Sequence, residues 1–249
     1  MTELTVNELW RYPVKSMLGE RLESASIGSH GVIGDRAWSL VDLESGTSLT
    51  ARRRPELLLA SARLAGVTVD DGVVITLPDG TETDDNAILT VWLGQPTELR
   101  EAVPDGTGTY ETQLDIGETG DWIRWQGPAG SFHDSTRTKV SLVSTATLRD
   151  WDRRRFRTNV ILNGDGEDDL VGQTIQLGGA TLEVLKHIDR CVMTARPQAA
   201  HDGEPALDRD LSVLKTINHE RGSLLGIGAL VGNPGSVSIG DQLTTTGPR

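Results

Sequence analysis

Glycine interrupts this chain too often for long helices. There are 28 glycines among 249 residues, and between them lie short runs rich in valine, isoleucine and threonine. A helix that buries one face needs ten or more uninterrupted residues with apolar positions three and four apart. Few segments here offer that. Short alternating runs bounded by Gly, Pro, Asn and Asp read as strands and tight turns. The expected fold is mainly β, about a dozen short strands with two or three helices, built as β-barrels rather than βαβ units.

Residues 3–14 alternate well enough for a strand that Pro13 must weaken or end. Residues 15–19 turn, and residues 21–27 form a second strand. Residues 31–36 are a turn delivering Arg36 to a third strand, 37–43. A hairpin turn at 44–47 precedes the basic run Arg52-Arg53-Arg54. Further strands are expected at 67–69, 73–77 and 97–102, and a short helix at 87–93 capped by Asp84, Asp85 or Asn86. Residues 103–121 are the most loop-like segment. They divide the chain into expected domains of residues 1–110 and 111–249.

In the second half, 139–144 reads as a strand and 145–153 as a helix. Residues 156–162 read as a strand carrying Arg157 and Asn159, two apart and so on one face. The acidic stretch 163–169 lacks the sixth-position glycine and twelfth-position glutamate of a calcium loop and is taken as a solvated turn. Residues 174–177 and 180–188 form a hairpin leading into Cys191. The best helix is 208–220, with Leu207, Leu211, Leu214 and Ile217 on one face. Residues 224–231 and 236–239 are the final strands. Gly226, Gly228 and Gly232 lack the spacing and the strand-to-helix setting of a nucleotide loop.

The net charge is −12, from 36 acidic and 24 basic residues. Such a chain repels nucleic acid and anionic lipid on average, so an anionic ligand needs a local basic pocket. No signal peptide and no membrane-length apolar run is read, so a soluble, cytoplasmic protein is expected. A single cysteine excludes an intramolecular disulfide, an internal dithiol cycle and every multi-cysteine zinc site. That cysteine lies in Asp189-Arg190-Cys191-Val192-Met193-Thr194. A fixed positive charge beside a thiol favours the thiolate, the form that attacks electrophiles and binds soft metals; a lone cysteine can equally be a small buried apolar residue. Lys15, Ser16 and Arg36 sit at turns beside strand ends and suit a phosphate. His133-Asp134-Ser135 with Ser144 invites a hydrolase reading. Three consecutive residues do not align as a triad, and no hydrolytic role is expected.

Tyr12-Pro13-Val14-Lys15-Ser16, Gly34-Asp35-Arg36-x-Trp38 and Thr50-Ala51-Arg52 to Pro55-x-Leu57 resemble the N-terminal β-barrel region of MOSC proteins. Phe156-Arg157-x-Asn159, Arg190-Cys191-x-x-Thr194, Asn233-Pro234-Gly235 and Gly240-Asp241 look like the MOSC domain itself. The same two-part arrangement occurs in the mitochondrial amidoxime-reducing component and its bacterial relatives. The resemblance implies that Cys191 ligates the molybdenum of a pterin cofactor. It implies that Lys15, Ser16, Arg36, Arg157, Asn159 and Arg190 hold the pterin and its phosphate, with Thr138 supplying a hydroxyl.

The function implied is a molybdenum oxidoreductase that reduces N-hydroxylated or related N-oxygenated compounds. Electrons would come from a separate flavin, iron–sulfur or cytochrome protein, because the chain has no sequence for such a centre. It is expected to act on a small molecule as a monomer, without nucleic acid or membrane. Two alternatives stand beside this: a sulfur carrier with a persulfide on Cys191, and a module that binds the cofactor without turnover. MOSC domains also occur fused to pyridoxal-phosphate desulfurases, giving a family-level link to pyridoxal phosphate binding, but this chain is too short to contain such an enzyme. Asp189, where relatives often have serine, and the segment 196–209 depart from the family pattern.

Overall fold

Extended chain segments must pair their backbone N–H and C=O groups, and here most of that pairing is collected in one curled sheet. A computed structural model of the chain describes residues 3–113 and 121–248. The largest sheet has eight strands in the order Leu243–Pro248, Gln173–Leu177, Ala180–Asp189, Leu224–Asn233, Val140–Ser144, Val160–Asn163, Thr5–Arg11, Glu20–Leu22. Neighbours run antiparallel except Val140–Ser144 and Val160–Asn163, which are parallel. The sheet closes on itself beside its first strand. Val6 N–H donates to Asp241 O at 2.8 Å, Gly240 N–H to Val6 O at 2.8 Å, and Leu243 N–H to Leu4 O at 2.8 Å. The first strand of the chain is therefore built into the sheet that the second half provides.

Inside the curl lies a core of Val6, Leu9, Val140, Leu142, Val160, Leu162, Ile175, Leu182, Val184 and Ile227, all at most 2% exposed. Alternation of side chains along each strand supplies this face. A second core gathers Val14, Met17, Trp38, Leu40, Leu57, Ile75 and Leu89 under the small sheets of the first half. Those sheets are Trp38–Asp42 with Thr97–Glu101, and Ser61–Leu64 with Val73–Thr76 and Glu82–Thr83. Among the described residues no helix is long and apolar enough to cross a membrane.

The mainly-β expectation holds, and the short helix lies at Asn86–Leu93, with Asp85 accepting from Ala87 N–H as its cap. Several finer expectations do not hold. Residues 21–27 are split between Glu20–Leu22 and Ser24–Gly28, which belong to different sheets. The helix at 145–153 stops at Leu148, because Arg149 takes a positive φ of 55°. The long helix is Leu211–Arg221, capped by Asp210, and it buries Val213 and Ile217 while Leu211 is 41% exposed. The apolar face is therefore rotated from the one the leucine spacing suggests.

The loop-like segment contains a strand, Thr107–Thr112, paired with Ile123–Ala129 as a hairpin. Its residues 114–120 lie outside the described residues. The acidic turn is only partly solvated, since Glu167 is fully buried. No group of three or more metal-ligating side chains occurs there or elsewhere among the described residues.

Candidate functional site

The hairpin Thr107–Thr112/Ile123–Ala129 overhangs a cleft of about 470 Å³ between the two halves. Ser16, Arg36, Thr138, Arg157, Asn159, Arg190 and Cys191 all line it. Seven of the eight residues singled out from the sequence are thus brought to one cavity. Lys15 stands behind the wall, 4% exposed. Its ammonium donates to Phe132 O at 3.0 Å and to Asp134 Oδ1 at 2.5 Å, and it lies 4.4 Å from the centre of the Tyr110 ring. Burial pulls its pKa below the ordinary lysine value, and Asp134 pulls it back up.

Strained backbone is concentrated here. Ser16, Arg36 and Arg157 have φ values of 72°, 51° and 46°, a region that costs any residue with a Cβ free energy. Hydrogen bonds hold each turn in place. Ala51 N–H donates to Ser16 Oγ at 3.0 Å. Arg36 Nη1 donates to both oxygens of the buried Asp35 carboxylate at 2.6 and 2.5 Å, the guanidinium stacks 4.6 Å over Tyr12, and Nη2 donates to Arg157 O at 3.1 Å. Asp35 in turn accepts from Tyr12 N–H at 2.8 Å.

Arg157 and Asn159 do not share the face of a strand. The strand begins only at Val160, and the positive φ at Arg157 turns the chain before it. Asn159 is 2% exposed and clasps two strands. Its Oδ1 accepts from Ser141 N–H at 3.1 Å and Ser141 Oγ at 2.8 Å, while Nδ2 donates to Trp10 O at 3.3 Å. The Arg157 guanidinium makes no hydrogen bond or ion pair with the described residues. Burial first, then the nearby Arg36, lowers its pKa from the ordinary arginine value. It is a cation held in the cleft wall without an ion-pair partner among the described residues, and Asp134 acts on it only from a distance, opposing the fall in its pKa.

Arg190 is committed inward. Its Nε donates to Leu225 O at 2.9 Å, Nη1 to Phe156 O at 2.9 Å and Nη2 to Thr158 Oγ1 at 3.5 Å. Burial pushes its pKa down to about 10. Cys191 follows at the start of the 3₁₀ turn Val192–Ala195, where its carbonyl accepts from Thr194 N–H at 3.1 Å and Thr194 Oγ1 at 2.9 Å. The thiol is half-buried and lines the cleft. Two glycines make this approach possible. A Cβ at Gly226 would come within 2.7 Å of Leu142 O, and one at Gly228 within 2.4 Å of Thr138 Oγ1. The strand glycines thus mark close backbone packing beside the site.

His133 and Lys139 also line the cleft, and neither was singled out from the sequence as a cleft residue. Their only signal was position, six apart on either side of Thr138. Ser144 is fully buried and its Oγ accepts from Thr147 N–H at 3.1 Å, a helix cap and no nucleophile. His133 is 7% exposed, and burial brings its pKa down from 6.5 to about 4, opposed by Asp35. Between those values the unfolded chain binds a proton that the folded chain refuses. The stability from this group is therefore complete above pH 6.5 and falls as the pH drops toward 4, by roughly 3 kcal/mol. Denaturant unfolding at pH 7.5 and 4.5 should show wild type losing about 2–3 kcal/mol more than His133→Gln. Equal losses in the two proteins would contradict a buried neutral imidazole.

Residues 3–101 match the MOSC N-terminal beta barrel domain and residues 129–244 match the MOSC domain. The chain is 24% identical to human mitochondrial amidoxime-reducing component 1, over 98% of this chain and 83% of that protein. It is 35% identical to bovine mitochondrial amidoxime reducing component 2 over 31% of this chain and 23% of that protein. The crystal structure of the YUAD protein from Bacillus subtilis aligns with a TM-score of 0.46 and 11% identity, over 97% of this chain and 94% of that one.

Proposed function

Because the chain is a MOSC-domain protein carrying the MOSC N-terminal β-barrel region, of a family related to the molybdenum cofactor, we propose that it is a molybdenum-cofactor-dependent oxidoreductase acting on N-hydroxylated or related N-oxygenated compounds. The observation that carries this is a half-buried thiol sharing one cleft with a guanidinium that makes no hydrogen bond or ion pair with the described residues. The donor set fits the group. One soft sulfur ligand suits molybdenum, and a free fork of N–H donors suits a phosphate. Cys191 would hold the metal and Arg157 the phosphate, with the Thr138 hydroxyl and Arg36 completing the wall. When bound, the cofactor supplies two-electron chemistry that no side chain here can supply.

The chain's own groups then have plain tasks. Arg190 pins Cys191 by holding the carbonyls of Leu225 and Phe156. Asp35 orients Arg36, and Arg36 fixes the turn that presents Arg157. The hairpin bearing Tyr110 and Trp125 walls one side of the cleft. The net reaction breaks an N–O bond, takes two electrons and two protons, and releases an amine-type product and water. The electrons come from a separate donor protein.

The test is molybdenum and pterin analysis of protein made in a cofactor-competent host, followed by turnover of benzamidoxime with a supplied reductant. One molybdenum per chain and measurable reduction are expected. Cyanide-releasable sulfur on metal-free, inactive protein would favour a persulfide carrier instead. Arg157→Met should fold normally, since the guanidinium makes no hydrogen bond to lose, yet retain the cofactor about 10- to 100-fold less tightly. Unchanged pterin content after dialysis would remove Arg157 from the phosphate site.

A further inference from the structure

Three consecutive arginines form the 3₁₀ turn Arg153–Arg155, and each side chain serves a different segment. Arg153 forks onto Glu204 at 3.1 and 3.2 Å and pairs with Glu8 at 3.0 Å. Arg154 pairs with Asp152 at 2.6 Å and donates to Ala199 O at 3.0 Å and Pro205 O at 2.8 Å. Both hold the hairpin of residues 198–207, no residue of which lines the cleft. Arg155 does line the cleft and is 8% exposed. Its Nη1 donates to Thr194 O at 3.3 Å and Arg196 O at 3.1 Å, and Nη2 to Asp208 O at 2.9 Å. Thr194 belongs to the turn that Cys191 opens. A bond runs the opposite way as well. Arg190, the residue before Cys191, donates from Nη1 to Phe156 O at 2.9 Å, and Phe156 is the residue before Arg157. The thiol turn and the guanidinium turn are therefore cross-braced, one arginine reaching each way. Arg36 ties the second turn to the first half of the chain through Arg157 O.

We propose that Arg155 is a positioning residue that holds the Cys191 turn against the Arg157 turn and so fixes the spacing of two anchors that one cofactor must reach at once. A ligand gripped at two points binds by effective concentration, and that gain disappears when the spacing drifts. A planar guanidinium suits this task, because its fixed fork of donors reaches several carbonyls where an ammonium is a single point. Without Arg155 the Cys191 turn keeps the Arg190 bonds on its first side and loses these ties on the other. The brace is a property of the chain alone. Its use for a metal-bearing pterin rests on the oxidoreductase reading.

The test compares Arg155→Met with Arg154→Met, which removes a buried guanidinium from the same turn but no tie to the Cys191 turn. Both variants should melt lower than wild type. In cofactor-free protein, iodoacetamide should alkylate Cys191 about 5- to 10-fold faster in Arg155→Met and at the wild-type rate in Arg154→Met, because only the first frees the turn that half-buries the thiol. In protein made in a cofactor-competent host, pterin retained after dialysis should fall at least about 10-fold in Arg155→Met and stay at the wild-type level in Arg154→Met. Arg155→Lys, which keeps one donor group, should lie between Arg155→Met and wild type in both measurements, and it carries the comparison if Arg155→Met does not fold. Equal alkylation rates in all the proteins overturn the brace. Equal pterin loss in Arg154→Met and Arg155→Met, or none in Arg155→Met, overturns the spacing role and leaves ordinary stabilisation. A wild type that takes up no molybdenum or pterin sinks the oxidoreductase reading, and the alkylation rates then decide the brace by themselves.

Discussion

Cys191→Ser is expected to fold with near-normal stability, to lose molybdenum and to lose reduction of an N-hydroxylated substrate. A hydroxyl nearly matches the thiol in size, and the backbone contacts at this position come from the Cys191 carbonyl, which the substitution does not touch. A hydroxyl is harder and far less acidic than a thiol, so it does not replace a thiolate at a soft metal. The loss should exceed the roughly 100-fold that altering an outer-shell partner of a metal costs. Parallel thermal melts, metal and pterin assays, and turnover with a supplied reductant measure it. Pterin can remain through Arg157 while metal and turnover disappear. Full turnover by metal-loaded Cys191→Ser would sink the ligand assignment. A purely apolar role would show instead as a stability change on the order of 1 kcal/mol in Cys191→Ala, with function intact.

The largest stability effect is expected at Arg190. Arg190→Met removes the donors to Leu225 O and Phe156 O. Each buried carbonyl left without a partner costs about 1–3 kcal/mol, so roughly 3 kcal/mol is expected in urea unfolding. For a chain of this size that is a fall of about 6–12 °C in Tm. Arg190→Lys should rescue only part, since one ammonium cannot reach the spread of acceptors a planar fork reaches. A loss under about 1 kcal/mol would show that the three bonds are dispensable.

The cleft gathers seven of the eight residues singled out from the sequence, while several of their hydrogen bonds run back into the protein. Cys191 was legible because the chain has a single cysteine, and Arg36 and Arg157 because they stand in Gly34-Asp35-Arg36-x-Trp38 and Phe156-Arg157-x-Asn159. The resemblance implies that Arg190 helps hold the pterin, and it lines the cleft while giving N–H groups to Leu225 O and Phe156 O. Adjacency along the chain says nothing of direction, and its guanidinium turns toward the strand Leu224–Asn233. Asn159 and Arg157 were placed on one strand face by counting in twos, which fails where a positive φ precedes the strand. His133 was legible only within the run His133-Asp134-Ser135, and Lys139 was not legible. Their burial beside the cleft is decided by three-dimensional neighbours. The helix Leu211–Arg221 was recognised with Ile217 on its buried face, but Val213 rather than Leu211 completes that face, and Leu211 is 41% exposed.

The strand Thr5–Arg11 carries a consequence for how the chain is made. Glu20–Leu22 pairs with it locally, but the rest of its hydrogen bonds go to Val160–Asn163 and the segment around Asp241 and wait until nearly the whole chain has left the ribosome. Closing loops of that length before any contact rewards them is slow. The border between the two sequence families, near residues 101–129, is therefore no border for folding. Evolutionary modules and cooperative units part company here: a gene cut at that border would leave one fragment with a strand unpaired along one edge and the other with an open sheet edge.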